Sequence, residues 1–235
     1  MKLVLEDVKK SFDSKEVLKG ASFSFEKGKI YGLLGRNGAG KTTLFNCISN
    51  EINYDEGRIC LVKEGQSEDI YYDNIGYCFS EPVLPDFLTG YEFIKFYLDI
   101  NKDKIENPLT IGEYFKLIDF KKEDAFKLIK DYSHGMKNKI QMLLFMISRP
   151  PVILLDEPLT SLDVVVALEI KNLLKKIKKD HIIIFSTHIL QLATDLCDEI
   201  VVLNKGELEG VDSSIIHDKD FEERIMEILK EESNV

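Results

Sequence analysis

Apolar residues recur along this chain at two spacings, and the change from one to the other divides the sequence. The chain opens with runs in which apolar and polar positions alternate, "KLVLEDV" and "ASFSFE", which predict strands with one face on a core. Lys27-Gly28 marks a turn, and "KIYGLLG" reads as a buried strand ending at Gly35. Thr42 to Ser49 reads as a helix, so the glycine-rich stretch between them is a strand-to-helix loop. "EGRICLV" and "NIGYCFS" are further strand candidates.

From about Pro82 to Ser133 the spacing becomes helical. "TGYEFIKFYLDI" and "IGEYFKLIDF" carry aromatics at helical intervals and are joined by a polar stretch containing proline. This is expected to be a helical subdomain, over about residues 82–135, inserted in a single domain of residues 1–235. The alternation of strand and helix then returns. "KIQMLLFMISR" reads as helix and "PVILLDE" as a buried strand. Val166, Ile170, Leu173, Leu174 and Ile177 mark one helix face, and "HIIIFSTH" is another buried strand. "EIVVLNKGEL" predicts a hairpin and "FEERIMEILKEE" a closing amphipathic helix. Such alternation predicts an α/β fold with a mainly parallel sheet covered by helices.

Composition narrows the function classes. The 235 residues, 44% of them hydrophobic, suffice for a sizeable core. The 31 basic against 41 acidic residues give a formal net charge of -10, which lacks the footprint of a general nucleic-acid binder, so no nucleic-acid partner is expected. No apolar run approaches the roughly 20 residues that span a bilayer. "MKLVLEDVKKSF" acquires charge too early for the apolar core of a signal peptide, and a cytoplasmic location is expected. Cys47, Cys60, Cys78 and Cys197 form no C-x-x-C pair or metal-type cluster, and buried reduced thiols are expected.

The chemistry begins at "GRNGAGKTT", Gly35 to Thr43. Gly35-x-x-x-x-Gly40-Lys41-Thr42 satisfies the phosphate-loop pattern, with the required strand before it and helix after it. Glycines let backbone N–H groups converge on phosphate oxygens, and the helix N-terminus adds partial positive charge. Lys41 is placed to bridge the β- and γ-phosphates, and the Thr42 hydroxyl to ligate Mg²⁺. In "VILLDEP", four apolar residues drive a strand into the core and deliver Asp156 to the edge where Mg²⁺ would sit. Glu157 follows, where a carboxylate can polarise an attacking water. Adjacent acids at a strand end are ordinarily a solvated loop; the cradle gives this pair its catalytic reading.

"YSHGMKNKIQ", Tyr132 to Gln141, decides among the nucleotide-binding classes. Here the chain resembles the ATP-binding cassette (ABC) ATPases, over nearly its whole length. Their signature is usually LSGGQ, with its serine 23 residues before the second-motif aspartate, a separation that Ser133 and Asp156 reproduce. His134 replaces the first glycine and Met136 the glutamine, while Ser133 and Gly135 remain. The resemblance implies a P-loop NTPase core with an N-terminal antiparallel β subdomain and an inserted α-helical subdomain. It implies that Gly35, Arg36, Asn37, Gly38, Ala39, Gly40, Lys41, Thr42 and Thr43 hold ATP, and that Ser133, Gly135 and Met136 meet the γ-phosphate held by the opposite subunit. Phe12 matches the aromatic that stacks on adenine, although an ordinary strand-end aromatic would look the same. His188 in "FSTH" matches the switch histidine, giving Glu157, His188 and Lys41 as the catalytic set. "PLTSLD" matches the loop ending at Asp163, with Leu159-Thr160-Ser161 departing from the usual Thr-Ser-Gly. The glutamine normally found after the "IGY" strand is missing; Ser80 stands there with Glu81 beside it, so Thr42, Asp156 and Ser80 are the expected Mg²⁺ ligands, with Glu81 the alternative to Ser80. His134 admits a pH-switch reading beside the plainer one of a neutral residue lining the turn.

With ATP and Mg²⁺ as cofactors, the resemblance implies an ATPase subunit. It would pair with a second copy around two ATP and drive a separate transmembrane permease at the cytoplasmic face of the cell membrane. "SEPVLPDFLTGYEF" is similar to small bacterial exporters of the antibiotic-resistance and peptide-immunity kind, and the lack of a C-terminal regulatory domain points the same way. A soluble ABC ATPase acting on DNA or ribosomes is the rival; such relatives carry a long coiled coil or two cassettes, and this chain shows one cassette and no coiled coil. A GTPase or small-molecule kinase is a third reading, because "NKGE" at Asn204 resembles a guanine-reading N-K-x-D, but Glu207 stands where aspartate is needed.

Overall fold

The computed structural model describes residues 1–105, 107–159, 162–211 and 221–230. The chain divides into two compact units. The first comprises Met1–Tyr77, Pro151–Glu157 and Lys178–Val235, the second Cys78–Pro150 and Pro158–Ile177.

In the first unit, β1 (Lys2–Phe12) pairs antiparallel with β2 (Lys15–Glu26). β1 buries Leu3, Leu5 and Val8. The step from Leu5 to Val8 is three rather than two, so the strand takes up an extra residue to keep Val8 on the buried face. The register shifts there against both neighbours, and Asp7 adopts φ 49°. Gly57 makes room for this bulge, because a Cβ at its position would lie 2.3 Å from the Asp7 carbonyl oxygen. β4 (Glu56–Lys63) and β5 (Gln66–Asp69) complete a four-stranded sheet in the order β2-β1-β4-β5.

A second sheet contains β3 (Ile30–Leu34), β6 (Ile75–Cys78), β7 (Val152–Asp156), β8 (Ile182–Thr187), β9 (Glu199–Asn204) and β10 (Glu207–Val211). Its order is β10-β9-β3-β8-β7-β6. β3 runs parallel to β8 and β9, β7 runs parallel to β8, and β10 closes an antiparallel hairpin on β9. Every residue of β3, β7 and β8 is buried, which explains their unbroken apolar runs: both faces are covered. On one face Tyr31, Leu33, Leu154, Ile184 and Val201 join Leu3, Phe25 and the Leu44 and Phe45 side chains of α1 (Lys41–Ile48) in one core. On the other, Leu34, Ile200 and Val202 meet Ala193 of α7 (Leu190–Leu196) and Phe221 and Ile225 of α8 (Phe221–Lys230). β3, β7 and β8 thus bring Gly35, Asp156 and His188 to one sheet edge, the carboxyl end where α/β sheets hold ligands.

The second unit is helical: α2 (Gly90–Ile100), α3 (Ile111–Leu117), α4 (Lys122–Ala125), α5 (His134–Ser148) and α6 (Val164–Ile177). α2 and α3 begin at capping boxes, Thr89 with Glu92 and Thr110 with Glu113, each contributing about 1 kcal/mol to the helix start. The unit takes in α5 and α6 besides α2 to α4, and so differs in extent from the 82–135 read from the sequence. The Lys139 ammonium on α5 meets the Glu169 carboxylate on α6 at 2.7 Å. α5 begins five residues before the apolar run "KIQMLLFMISR", because Ser133 caps it. Among the described residues no helix is long and apolar enough to cross a membrane.

Candidate active site

The glycine-rich loop leaves β3 at Leu34 and enters α1 at Lys41. Gly38 and Gly40 take φ 82° and 104°, the left-handed region that glycine enters without strain. Gly40 has a second reason: a Cβ there would lie 2.8 Å from Val17 Cγ1. No side chain caps α1, so its first N–H groups face the loop, as an anion-binding helix start requires.

Lys41 is buried, and its ammonium donates to the carbonyls of Gly35 at 2.8 Å and Arg36 at 3.3 Å. Burial pushes its pKa below the ordinary value, against the opposing pull of Glu157 and Asp156. Nζ lies 3.8 Å from Glu157 Oε1. The Thr42 hydroxyl donates to Asp156 Oδ2 at 2.7 Å. Ser186, fully buried on β8, donates to Asp156 Oδ1 at 2.5 Å and accepts from the Glu157 N–H at 3.0 Å. His188 Nδ1 lies 3.0 and 3.1 Å from the two Glu157 carboxylate oxygens. An ionised carboxylate only accepts, so Nδ1 carries the hydrogen and donates. Glu157 itself sits at φ 51°.

The residues expected to hold Mg²⁺ divide between the units. Thr42 and Asp156 offer two hard oxygen donors in mutual contact, which fits an ion that prefers oxygen and keeps waters and substrate phosphates as its other ligands. Ser80 and Glu81 both lie exposed in the second unit, in the loop after β6.

Phe12 stands half exposed at the end of β1, with the Lys10 ammonium 5.3 Å from its ring centre. Beside the loop is a cavity of about 350 Å³ lined by Lys15, Val17, Asn37, Gly38 and Lys205 among others; Phe12 is not one of its lining residues. The Asn204 amide donates to the Ile228 carbonyl at 2.9 Å, which employs it in holding α8 rather than in reading a base.

In the second unit, Ser133 is exposed, and its hydroxyl accepts from the Met136 N–H at 3.2 Å as the cap of α5. His134 Nδ1 lies 3.4 Å from the buried Asn138 amide nitrogen, which also donates to the Pro158 carbonyl at 3.4 Å. Gly135 is buried against α6, where a Cβ would meet Val166 Cγ1 at 2.7 Å. Asp163 caps α6, its Oδ1 accepting from Val165 and Val166 N–H at 3.0 Å each. Thr160 and Ser161 lie outside the described residues.

Two residues escaped the sequence reading: Ser186 and Asn138. Ser186 carried a readable signal, since a serine inside the apolar run "IIIFST" must find hydrogen-bond partners once buried. Asn138 carried none.

A family profile described as ABC transporter matches residues 18–160. The chain is 31% identical to the ABC transporter ATP-binding protein YxlF of Bacillus subtilis over 88% of its own length and 69% of that protein. It is 30% identical to the bacitracin transport ATP-binding protein BcrA of Enterococcus faecalis over 90% of its own length and 70% of that protein. In fold it is similar to the ATP-binding cassette MJ0796, solved as a dimer in a post-hydrolysis state with ADP and Pi. The TM-score is 0.73 at 22% identity, over 89% of this chain and 99% of that one.

Proposed function

The chain belongs to the ABC transporter family of ATP-binding ATPases, and from that premise we propose that it is the hydrolysing subunit of a transporter. Two copies would close around two ATP and drive a separate membrane permease from the cytoplasmic face. The observation that carries this reading is the cluster at one sheet edge: Lys41, Thr42, Asp156, Glu157 and His188, each in contact with another member. Lys41 would exchange its loop carbonyls for phosphate oxygens, and Thr42 and Asp156 would hold Mg²⁺. Bound Mg²⁺ supplies neutralisation of charge developing on the phosphoryl oxygens. Glu157 takes the proton of the attacking water, and His188, donating to it, fixes the direction of its carboxylate. Ser133, Gly135 and Met136 of one copy would complete the nucleotide held by the other. The resemblance to BcrA, named for bacitracin transport, supports export as the direction. Exposed Val83 and Phe87 in the "SEPVLPDFLTGYEF" loop support an apolar partner for that segment.

The test is a sizing experiment on the Glu157→Gln chain. It is expected to be monomeric without nucleotide and dimeric with ATP and Mg²⁺. Ser133→Arg is expected to abolish that dimer while each chain still binds ATP. Survival of the dimer in the double variant overturns the two-copy mechanism.

A further inference from the structure

Ser186 is the one polar side chain at full burial in its strand whose hydroxyl is shared between two residues of the hydrolytic cluster. The register of β7 and β8 sets Asp156 directly beside Ser186. A serine hydroxyl has one hydrogen to donate and two lone pairs to accept with. Its hydrogen goes to Asp156 Oδ1 at 2.5 Å, a short charge-assisted bond, and one lone pair takes the Glu157 N–H at 3.0 Å. The neighbours Ile182 to Phe185 are apolar and buried, so an aliphatic residue would suit the packing as well. Burying a hydroxyl costs free energy unless it is bonded, and here both bonds go to the cluster.

We propose that Ser186 is a positioning residue for ATP hydrolysis: its hydroxyl fixes the Asp156 carboxylate and the Glu157 backbone as one unit. This rests on the reading of Asp156 as a cation ligand and Glu157 as the base. With Oδ1 committed to Ser186, Asp156 turns Oδ2 towards the Thr42 hydroxyl, the other cation ligand. Ser186 Oγ also accepts from the N–H of Glu157, which sits at φ 51°, a conformation that a non-glycine residue seldom adopts. That backbone sets where the Glu157 carboxylate points, and it points to His188 Nδ1. Ser186 touches neither metal nor nucleotide in this scheme; it acts through two residues that do.

Ser186→Ala in the full chain, with Ser186→Thr beside it, tests this. Three quantities are read: kcat against ATP affinity, the affinity for Mn²⁺ by electron paramagnetic resonance with a non-hydrolysable ATP analogue, and the melting temperature. The alanine variant is expected to lose about tenfold or more in kcat and in Mn²⁺ affinity, as for partners that orient metal ligands. Its ATP affinity should stay within about twofold, and threonine, which keeps the hydroxyl, should restore both losses. Unchanged kcat and Mn²⁺ affinity in the alanine variant overturns the proposal, as does a kcat loss matched by equal losses in ATP affinity and stability. If the alanine variant does not fold, Ser186→Cys, with a weaker donor of similar size, is read by the same two quantities. Absence of ATP hydrolysis by the unaltered chain would overturn the transporter-ATPase reading instead, and the Mn²⁺ measurement would still decide for or against Ser186.

Discussion

The two stretches that the proposed function brings to a nucleotide are built on opposite plans. At the edge of β3, β7 and β8, Asp156 and Ser186 are buried, Glu157 is half-buried, and the exposed Thr42 and His188 close over them, each engaged with another: Thr42 with Asp156, Asp156 with Ser186, Glu157 with His188. At the turn into α5 the serine is exposed, and its hydroxyl serves its own helix, accepting from the Met136 N–H. The first site is preorganised by strand register around a buried carboxylate, Asp156, whose bonds to Thr42 and Ser186 count for more out of water. The second is a capped helix start presented at the surface. A change in the first should therefore disturb chemistry with the fold intact, and a change in the second should disturb packing or association.

The largest expected effect is in the first region. Glu157→Gln removes the base but keeps the shape, and turnover should fall by about 10² to 10⁴-fold with ATP affinity preserved. A steady-state ATPase assay beside a nucleotide-binding titration checks this; near-normal turnover would take the base role from Glu157.

In the second region the expected effect is on stability. Gly135→Ala places a methyl 2.7 Å from Val166 Cγ1 and should destabilise the fold by about 1–3 kcal/mol. For a chain of this size that is a fall of roughly 2–4 °C in melting temperature per kcal/mol. Adding Val166→Ala should recover part of it. A melting temperature unmoved by Gly135→Ala would mean that α5 and α6 do not hold this spacing, and that the glycine answers to the nucleotide alone.

The smallest expected effect separates Ser80 from Glu81. Ser80→Ala should slow single-turnover hydrolysis by about threefold to tenfold, the worth of one neutral oxygen contact, and Glu81→Ala by less. The reverse order transfers the role to Glu81.

Much of this was legible in the sequence because it is written locally. Alternating and continuous apolar runs fix which strands have one covered face and which have two. Gly35 to Thr43 gives a phosphate loop because glycine, lysine and threonine act through backbone freedom, charge and a hydroxyl that each carries by itself. The separation of Ser133 from Asp156, together with the motifs around them, carries the family. The limits of α5 were less legible, since a serine cap extends a helix beyond its apolar run.

What the tertiary structure alone decided is which of these residues meet. Parallel pairing of β7 with β8 sets Ser186 beside Asp156, and no spacing along the chain announces a register between strands 30 residues apart. The close approach of α5 to α6 gives Gly135 a packing reason to lack a side chain, beside the one its motif suggests. The sheet edge turned His188 and Lys41 towards one carboxylate and left Phe12 outside the nearby cavity. Residue type and order determine what chemistry a chain can carry, whereas burial and register determine which groups lose their water and must find each other.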